Sequence, residues 1–357
     1  MAAVQPNMPL LAPHRPGRLV LQPWSKAWKT WEEALRRFPA ATLYHRARWL
    51  TLLDRAYSLE PWVATIKRED ELAAACVFAR SRNPLSRIRF VSLPFSDQSP
   101  PLAADGDALA QFLDRLAQSA IARRGCELRG VEASAPWRTV ECFALWRLDV
   151  DRPAAEIERA CHREFRRKLR RAAQAKLAVE SGNDEDLVRR FFRLQLETRR
   201  RLGVPSQPLR FFKLAREIFA PSGCFRVWLV SERGRDIAGA IHLRDGDVVY
   251  RKWAGRRLGG HSAAPHLLFW TEIESLAGSA SIFDLGRADV RNHGLTRSKR
   301  DTGAASIPLR YVFLPDAPGN VSSEVLSGAR KAFATVWRRL PLPVVRVLGG
   351  ALYGYLA

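Results

Sequence analysis

The same order of signals occurs twice along this chain, and that recurrence restricts the available folds more than any single motif. In the first half, WVATI and LAAACVF flank the polar KREDE, two apolar runs around turn-forming residues that predict a hairpin. RFVSLPF, a helical stretch from about Asp107 to Arg124, the strand-like CELRGVE and FALWRLDV follow. In the second half FRVWLVSE, DIAGAIHL and DVVYRKWAG read as strands joined at Arg233-Gly234 and Asp245-Gly246. A helix from about Ala263 to Ala277, SIFDLG and IPLRYVFLP complete that half. The repeat is one of pattern rather than residue identity. It predicts two related α/β units (mixed α+β), each a mainly antiparallel mixed sheet flanked by helices.

Two helical segments separate the halves. AAEIERACHREFRRKLRRAAQAK places Ile157, Ala160 or Cys161, Phe165, Leu169 and Ala172 at helical spacing, with arginines and Lys168 on the other surface. DEDLVRRFFRLQLETRRRLG sets Leu187, Val188, Phe191, Phe192 and Leu196 on one side, with Asn183-Asp184 suited to an N-cap and Gly203 to a C-cap. Pro205 and Pro208 then interrupt the chain before a short helix near Phe211 to Ile218.

With 357 residues, 47% of them hydrophobic, the chain has material for two cores, and its 11 tryptophans exclude a disordered polymer. Its five cysteines are scattered, and no two stand at CxxC spacing, which points to buried thiols in a reducing compartment and to no bound metal. The N-terminus lacks the apolar core of a signal peptide, and no run of about 18 apolar residues marks a spanning helix. A cytoplasmic protein is expected. The formal charge of +22 suits polyanionic partners: nucleic acid, anionic lipid or phosphorylated carriers. A generally basic surface would give the same figure.

Three stretches hold residues that can carry chemistry. In RRLGGHSAAPHLLFW, Gly259, Gly260, His261 and Ser262 open a helix, where backbone N–H groups and the helix dipole attract phosphate, with Arg256 and Arg257 beside them. The spacing is a near miss to an acyl-CoA pyrophosphate loop, and an ordinary capped turn accounts for it equally well. In FDLGRADVRNHGLTRSKRDTGA, read as a polar loop after a strand, Asp284 or Asp289 can accept a proton from an amine. Arg287 and Lys299 can bind phosphate or stabilise an oxyanion, although a surface ion-pair cluster fits the same residues. The basic helix from Arg163 to Lys176 suits nucleic-acid phosphates or anionic head groups, yet a solvated helix face explains it too. His45, His261 and His266 are single histidines that fit proton shuttles or structural hydrogen bonds.

Several stretches taken in order, SLPFSDQSPPL, FRRKLRRAAQAKLAVE, LETRRRLGVPSQPLRFF, YRKWAG with SAAPHLLFWTEIE, FDLGRAD with SKRDTGA, and LPLPVVRVLGGALYGYLA, carry a family likeness. From about Tyr44 to Ala357 they resemble the FemAB-related branch of the GNAT acyltransferase superfamily, of the exopolysaccharide-associated type. The resemblance implies two tandem GNAT-like domains: residues 21–152 after a flexible N-terminus (1–20), and residues 153–316 with the signature loop, before a C-terminal helical segment (317–357). It implies N-acyl transfer from acyl-CoA or aminoacyl-tRNA, used as a co-substrate with no permanently bound cofactor, to an amine of an anionic cell-envelope or polysaccharide precursor. On the matched signature, Asp284, Arg287, Asp289 and Lys299 would serve catalysis, and Tyr250, Arg251 and Lys252 would line the cleft. Members commonly show Phe-Lys and Trp-Gly where this chain has Ser298-Lys299 and Thr302-Gly303, which implies a reshaped acceptor pocket or an altered activity. A non-catalytic module that binds nucleic acid or anionic membrane is the alternative. The C-terminal segment, apolar but broken by prolines, Arg346 and paired glycines, is expected to pack on the domain. The competing expectation places it at the inner face of the membrane.

Overall fold

The structure, a computed structural model, describes residues 17–81, 88–315 and 328–356. Residues 1–16, within the segment read as a flexible N-terminus, lie outside the described residues. The chain forms two compact units, Met1–Val140 with Arg310–Pro318, and Glu141–Leu309 with Gly319–Ala357.

The first unit begins β1 (Val20–Pro23), α1 (Trp24–Leu35), α2 (Ala47–Tyr57), β2 (Trp62–Arg68) and β3 (Glu71–Arg80). The predicted hairpin is β2–β3, antiparallel from Trp62↔Phe78 to Arg68↔Glu71. Then come β4 (Phe90–Val91), β5 (Leu102–Ala103), α3 (Gly106–Ala117), α4 (Ala120–Arg123) and β6 (Cys126–Arg129). RFVSLPF is strand only over its first residues, because Leu93 and Phe95 take left-handed φ of 65° and 62° and turn the chain away. The helix expected over 107–124 is two, because Ser119 leaves the helical path and caps α4 through Ala122 N. The core gathers Cys76 and Phe78 with Phe112, Leu116, Leu128 and Val312.

The chain enters the second unit within β7 (Arg138–Asp149). There follow α5 (Ala154–Ala160), α6 (Arg163–Gln174), β8 (Leu177–Gly182), α7 (Glu185–Leu202), α8 (Leu209–Phe219), β9 (Phe225–Glu232), β10 (Arg235–Asp245) and β11 (Val248–Arg256). Next come α9 (Ala264–Leu276), β12 (Ile282–Asp289), α10 (His293–Arg300), β13 (Ala305–Leu314), α11 (Gly328–Arg339) and α12 (Leu342–Leu352). Strands run in the order β7-β12-β11-β10-β9-β8, antiparallel except for β11 with β12. The C-terminal half of β13 belongs to the first unit, where Tyr311–Leu314 pair with β6.

The first of the two intervening helical segments breaks into α5 and α6 at Cys161 and His162, both extended, where His162 N donates to Asp301 O. Its apolar positions still share a core, for Ile157, Cys161, Phe165 and Leu169 pack with Phe269, Ile273 and Phe283. The stretch read as a polar loop is not one. β12 continues through Asp289, and Asn292 then caps α10 by accepting from Leu295 N at 2.9 Å, so Lys299 sits on a helix.

Candidate functional site

A cavity of about 350 Å³ opens in the second unit where the parallel strands β11 and β12 part. Their pairing ends at Tyr250↔Asp284, and beyond it β12 bulges: Asp284 faces Arg147 on β7, yet Arg287 already faces Leu145. Gly286, at φ 72°, supplies the left-handed step that this bulge needs. The Lys299 ammonium of α10 reaches back to the bulge and donates to the carbonyls of Leu285 (2.7 Å), Gly286 (2.8 Å) and Arg287 (3.2 Å).

The opposite wall comes from β10, β11 and α7. Gly239 and Gly255 face each other across the ladder, and a Cβ on Gly255 would lie 2.9 Å from the backbone of Leu194 and Gln195. Only glycine admits α7 that close. Thr198 on α7 then bonds both backbone groups of Arg256, donating to its O (3.1 Å) and accepting from its N (2.8 Å). One turn further along, Arg201 reaches the same cavity wall as Arg256. Burial and then the charge of Arg256 push the Arg201 guanidinium below its ordinary pKa. Among the described residues neither guanidinium has a carboxylate in ion-pair contact, and neither donates a hydrogen bond. The Glu197 carboxylate, paired with Arg257, opposes that shift without reaching Arg201, so the cavity sets two guanidinia side by side, an arrangement suited to an anion.

The third wall is the start of α9 with α6. Ser262, Pro265, His266 and Phe269 line it, with Phe165 of α6 at 5.5 Å from the His266 ring and 5.9 Å from Phe269. The His266 Nδ1 is buried without a hydrogen-bond partner among the described residues. Burial, and then the Lys168 ammonium, lower its imidazole to about 4, with Arg256 adding to the effect and Asp301 opposing it. At neutral pH His266 is thus an uncharged imidazole, one of whose ring nitrogens can accept a proton. Behind the wall, Glu272 on α9 is fully buried. It takes a 2.6 Å hydrogen bond from Arg251 Nε and lies 3.5 Å from His242 Nε2. Burial acts to raise its pKa, but the Arg251 and His242 interactions prevail and hold the carboxyl below the usual range.

The structure brings Arg251, Arg256, Ser262 and Lys299 to this cavity. It places other candidates elsewhere. Asp284, only 2% exposed, accepts from Arg147 Nε (3.1 Å) and Gly286 N (2.8 Å), so its carboxylate secures the bulge. Asp289 accepts from Arg291 N in the turn before α10, and the Arg287 guanidinium lies 4.5 Å over the Phe143 ring. Tyr250 is buried, and Lys252 is the extra residue of a bulge opposite Ile241 and His242. Gly259, Gly260 and His261 lie outside the lining. The expected cluster of open N–H groups at the α9 start is also reduced, because Ala263 N donates to His261 Nδ1, Ala264 N to His261 O, and Pro265 has none. Sequence reasoning missed Arg201, hidden in a run of three arginines, and Glu272, whose signal was a lone carboxylate between Trp270 and Ile273 on an apolar helix. Among the described residues no group of three or more His, Cys, Asp or Glu is placed to hold a metal ion.

Residues 159–293, the stretch from α5 through the start of α10, match the acetyltransferase (GNAT) domain family. A UDP-N-acetylmuramoylpentapeptide-lysine N(6)-alanyltransferase of Weissella viridescens is 22% identical over 159 residues, which are 44% of this chain and 44% of that protein. The match thus spans less than half the length of that relative. The crystal structure of FemX covers 80% of this chain and 95% of its own at a TM-score of 0.60 and 12% identity. A tandem GNAT protein from the clavulanic acid biosynthesis pathway covers 85% and 100% at 0.51 and 10%. At these identities the likeness speaks for the fold, and both neighbours bear out the expected mixed α/β, tandem GNAT-like architecture. Residues 159–293 thus carry the match to the GNAT acetyltransferase domain, and the fold is similar to that of FemX.

Proposed function

We propose that the protein is an N-acyltransferase that moves an acyl or aminoacyl group onto an amine of a cell-envelope or glycan precursor. The donor is acyl-CoA or aminoacyl-tRNA. The observation that carries the reading is the cavity itself, which sets two neighbouring guanidinia, Arg201 and Arg256, beside the neutral imidazole of His266. Either donor brings phosphates to the guanidinia, which fix it by charge. The amine nitrogen attacks the donor carbonyl carbon, the C–S bond of a thioester or the C–O bond of an aminoacyl ester breaks, and the leaving sulfur or oxygen is protonated. His266 takes the proton released by the amine, in the role first assigned to Asp284 or Asp289. The buried Glu272 holds Arg251 in place at the cavity wall. Lys299 keeps the β12 bulge open for the acceptor, and no covalent enzyme intermediate is required.

Purified protein incubated with acetyl-CoA or alanyl-tRNA, and with a UDP-N-acetylmuramoylpentapeptide or an amino sugar as acceptor, tests the proposal by product mass. His266→Ala is expected to lower kcat at least tenfold. Arg201→Ala and Arg256→Ala are expected to raise the donor KM by a similar factor, roughly the loss of one charge-assisted contact each. Full activity in the His266 variant removes that residue from the mechanism. Absence of transfer across the donor and acceptor panel, with tight anion binding retained, moves the chain to the non-catalytic alternative. A steep fall of donor affinity with salt marks tRNA, and a shallow one marks the coenzyme.

A further inference from the structure

The last two helices carry a second, outward apolar face. α11 and α12 pack on α7 through Ala334, Trp337, Val345 and Gly349, all buried. Close contacts mark the seat: a Cβ on Gly203 would fall 2.7 Å from that of Ala334, and one on Gly349 would fall 3.1 Å from Ser206 N. A helix seated on one side ordinarily turns polar residues to solvent on the other. Here Phe333 and Val336 of α11 point outward, with Val336 60% exposed. On α12 and the turn after it, Val344, Val347, Leu348, Leu352 and Tyr355 do the same at a spacing of three to four residues, with Val347 70% exposed. Such a stripe is costly to leave in water and marks a contact surface.

Charge selects its occupant. Residues 328–356 contain five cations, Arg330, Lys331, Arg338, Arg339 and Arg346, and no Asp or Glu. Lys331, Arg339 and Arg346 are exposed on the same two helices, as is Arg338, whose Nε donates to the Arg201 carbonyl. A second copy of the chain docked symmetrically on this face would set like charges against like. A nucleic acid would satisfy the cations but leave the valines and leucines in water. An anionic bilayer satisfies both, with the apolar side chains at the acyl boundary and the guanidinia among the head groups. Among the described residues no helix is long and apolar enough to cross a membrane, so contact of these helices is from one side.

We propose that the outward face of α11 and α12 docks the protein on anionic phospholipid bilayers. This inference stands apart from the acyl-transfer reading and does not depend on it. The test is co-sedimentation of the full chain with vesicles of phosphatidylcholine alone or mixed equally with phosphatidylglycerol, at low and at high salt. The expected result is binding to the mixed vesicles that partly survives high salt. Val336→Ser/Val347→Ser/Leu348→Ser should lower it at least tenfold and abolish the salt-resistant part, while Leu21→Ser on β1 changes nothing. Arg339→Gln/Arg346→Gln should lower binding at low salt and erase the preference for phosphatidylglycerol. All six positions are exposed, and equal thermal midpoints check that the variants fold. Two results overturn the proposal. One is undiminished binding by the triple variant, which would assign adhesion to the general basicity of the chain. The other is a dimer in light scattering that the triple variant dissolves, with no sedimentation by either protein.

Discussion

Replacing Lys299 by Met should destabilise the second unit, and the size of the loss separates a structural ammonium from a ligand-binding one. The Nζ donates to three carbonyls, two at 2.7 and 2.8 Å and one at 3.2 Å. Hydrogen bonds to a charged group contribute about 1.5–3 kcal/mol each, and carbonyls left orphaned keep their desolvation cost. One ammonium shared among three acceptors at a half-buried site supports a total of about 2–4 kcal/mol. For a unit of this size that corresponds to a midpoint lowered by roughly 5–15 °C. Differential scanning calorimetry reads it directly, with Ser298→Ala as a neighbour that lines the same cavity and whose removal should shift little. Had the residue served only as an acceptor contact, its loss would spare the fold. A Lys299→Met protein that melts within about 1 °C of the parent yet no longer binds donor would refute the pinning argument.

Other outcomes follow from the same geometry. Gly255→Ala drives a Cβ against the α7 backbone and should cost about 1–3 kcal/mol in urea unfolding, with loss of the Arg201–Arg256 juxtaposition and a raised donor KM. Glu272→Gln strips the buried partner from Arg251, at a cost of about 3–5 kcal/mol at neutral pH. Because the Glu272 pKa is lowered on folding, its stabilisation is present above the unfolded value and fades as pH falls through the folded one. The gap between parent and Glu272→Gln should therefore close in acid. His266 acts in the same direction at higher pH: its imidazole is lowered to about 4, so the unfolded chain binds that proton first and parent stability falls as pH drops from about 6.5 toward 4. His266→Asn should lose less stability than the parent across that window, and an identical pH profile would contradict the burial of the ring.

The strands and helices were legible because their signals are periodic. Both hairpin units follow from alternation and turn residues, and α7 ends at Gly203 as its sequence suggests, with φ at 75°. What escaped was anything fixed by a single backbone step. The bulge at Leu285–Gly286 lets β12 run on through what reads as a loop, the Asn292 cap then starts α10, and Asp284 and Arg287 lie off the cavity. Cys161 and His162 divide what reads as one helix, because His162 N is drawn to a carbonyl far along the chain, at Asp301. At the site, Arg256, Ser262 and Lys299 were found from spacing and likeness, whereas Arg201 and Glu272 were not. Their importance comes from what faces them across the fold; the run of arginines hides Arg201, and the one local mark of Glu272 is a carboxylate set among apolar helix residues.

The seat of α11 on α7 also has a consequence for distance. Arg338 Nε donates to the backbone carbonyl of Arg201, the residue whose side chain lines the cavity. One helix, α7, is thus common to the cavity wall and to the support of the outward apolar face, so the height of the cavity above anything resting on that face is set by a rigid strut rather than by a hinge. An acceptor tethered to the same surface would be measured by the reach of its stalk, and those too short would be refused whatever their chemistry.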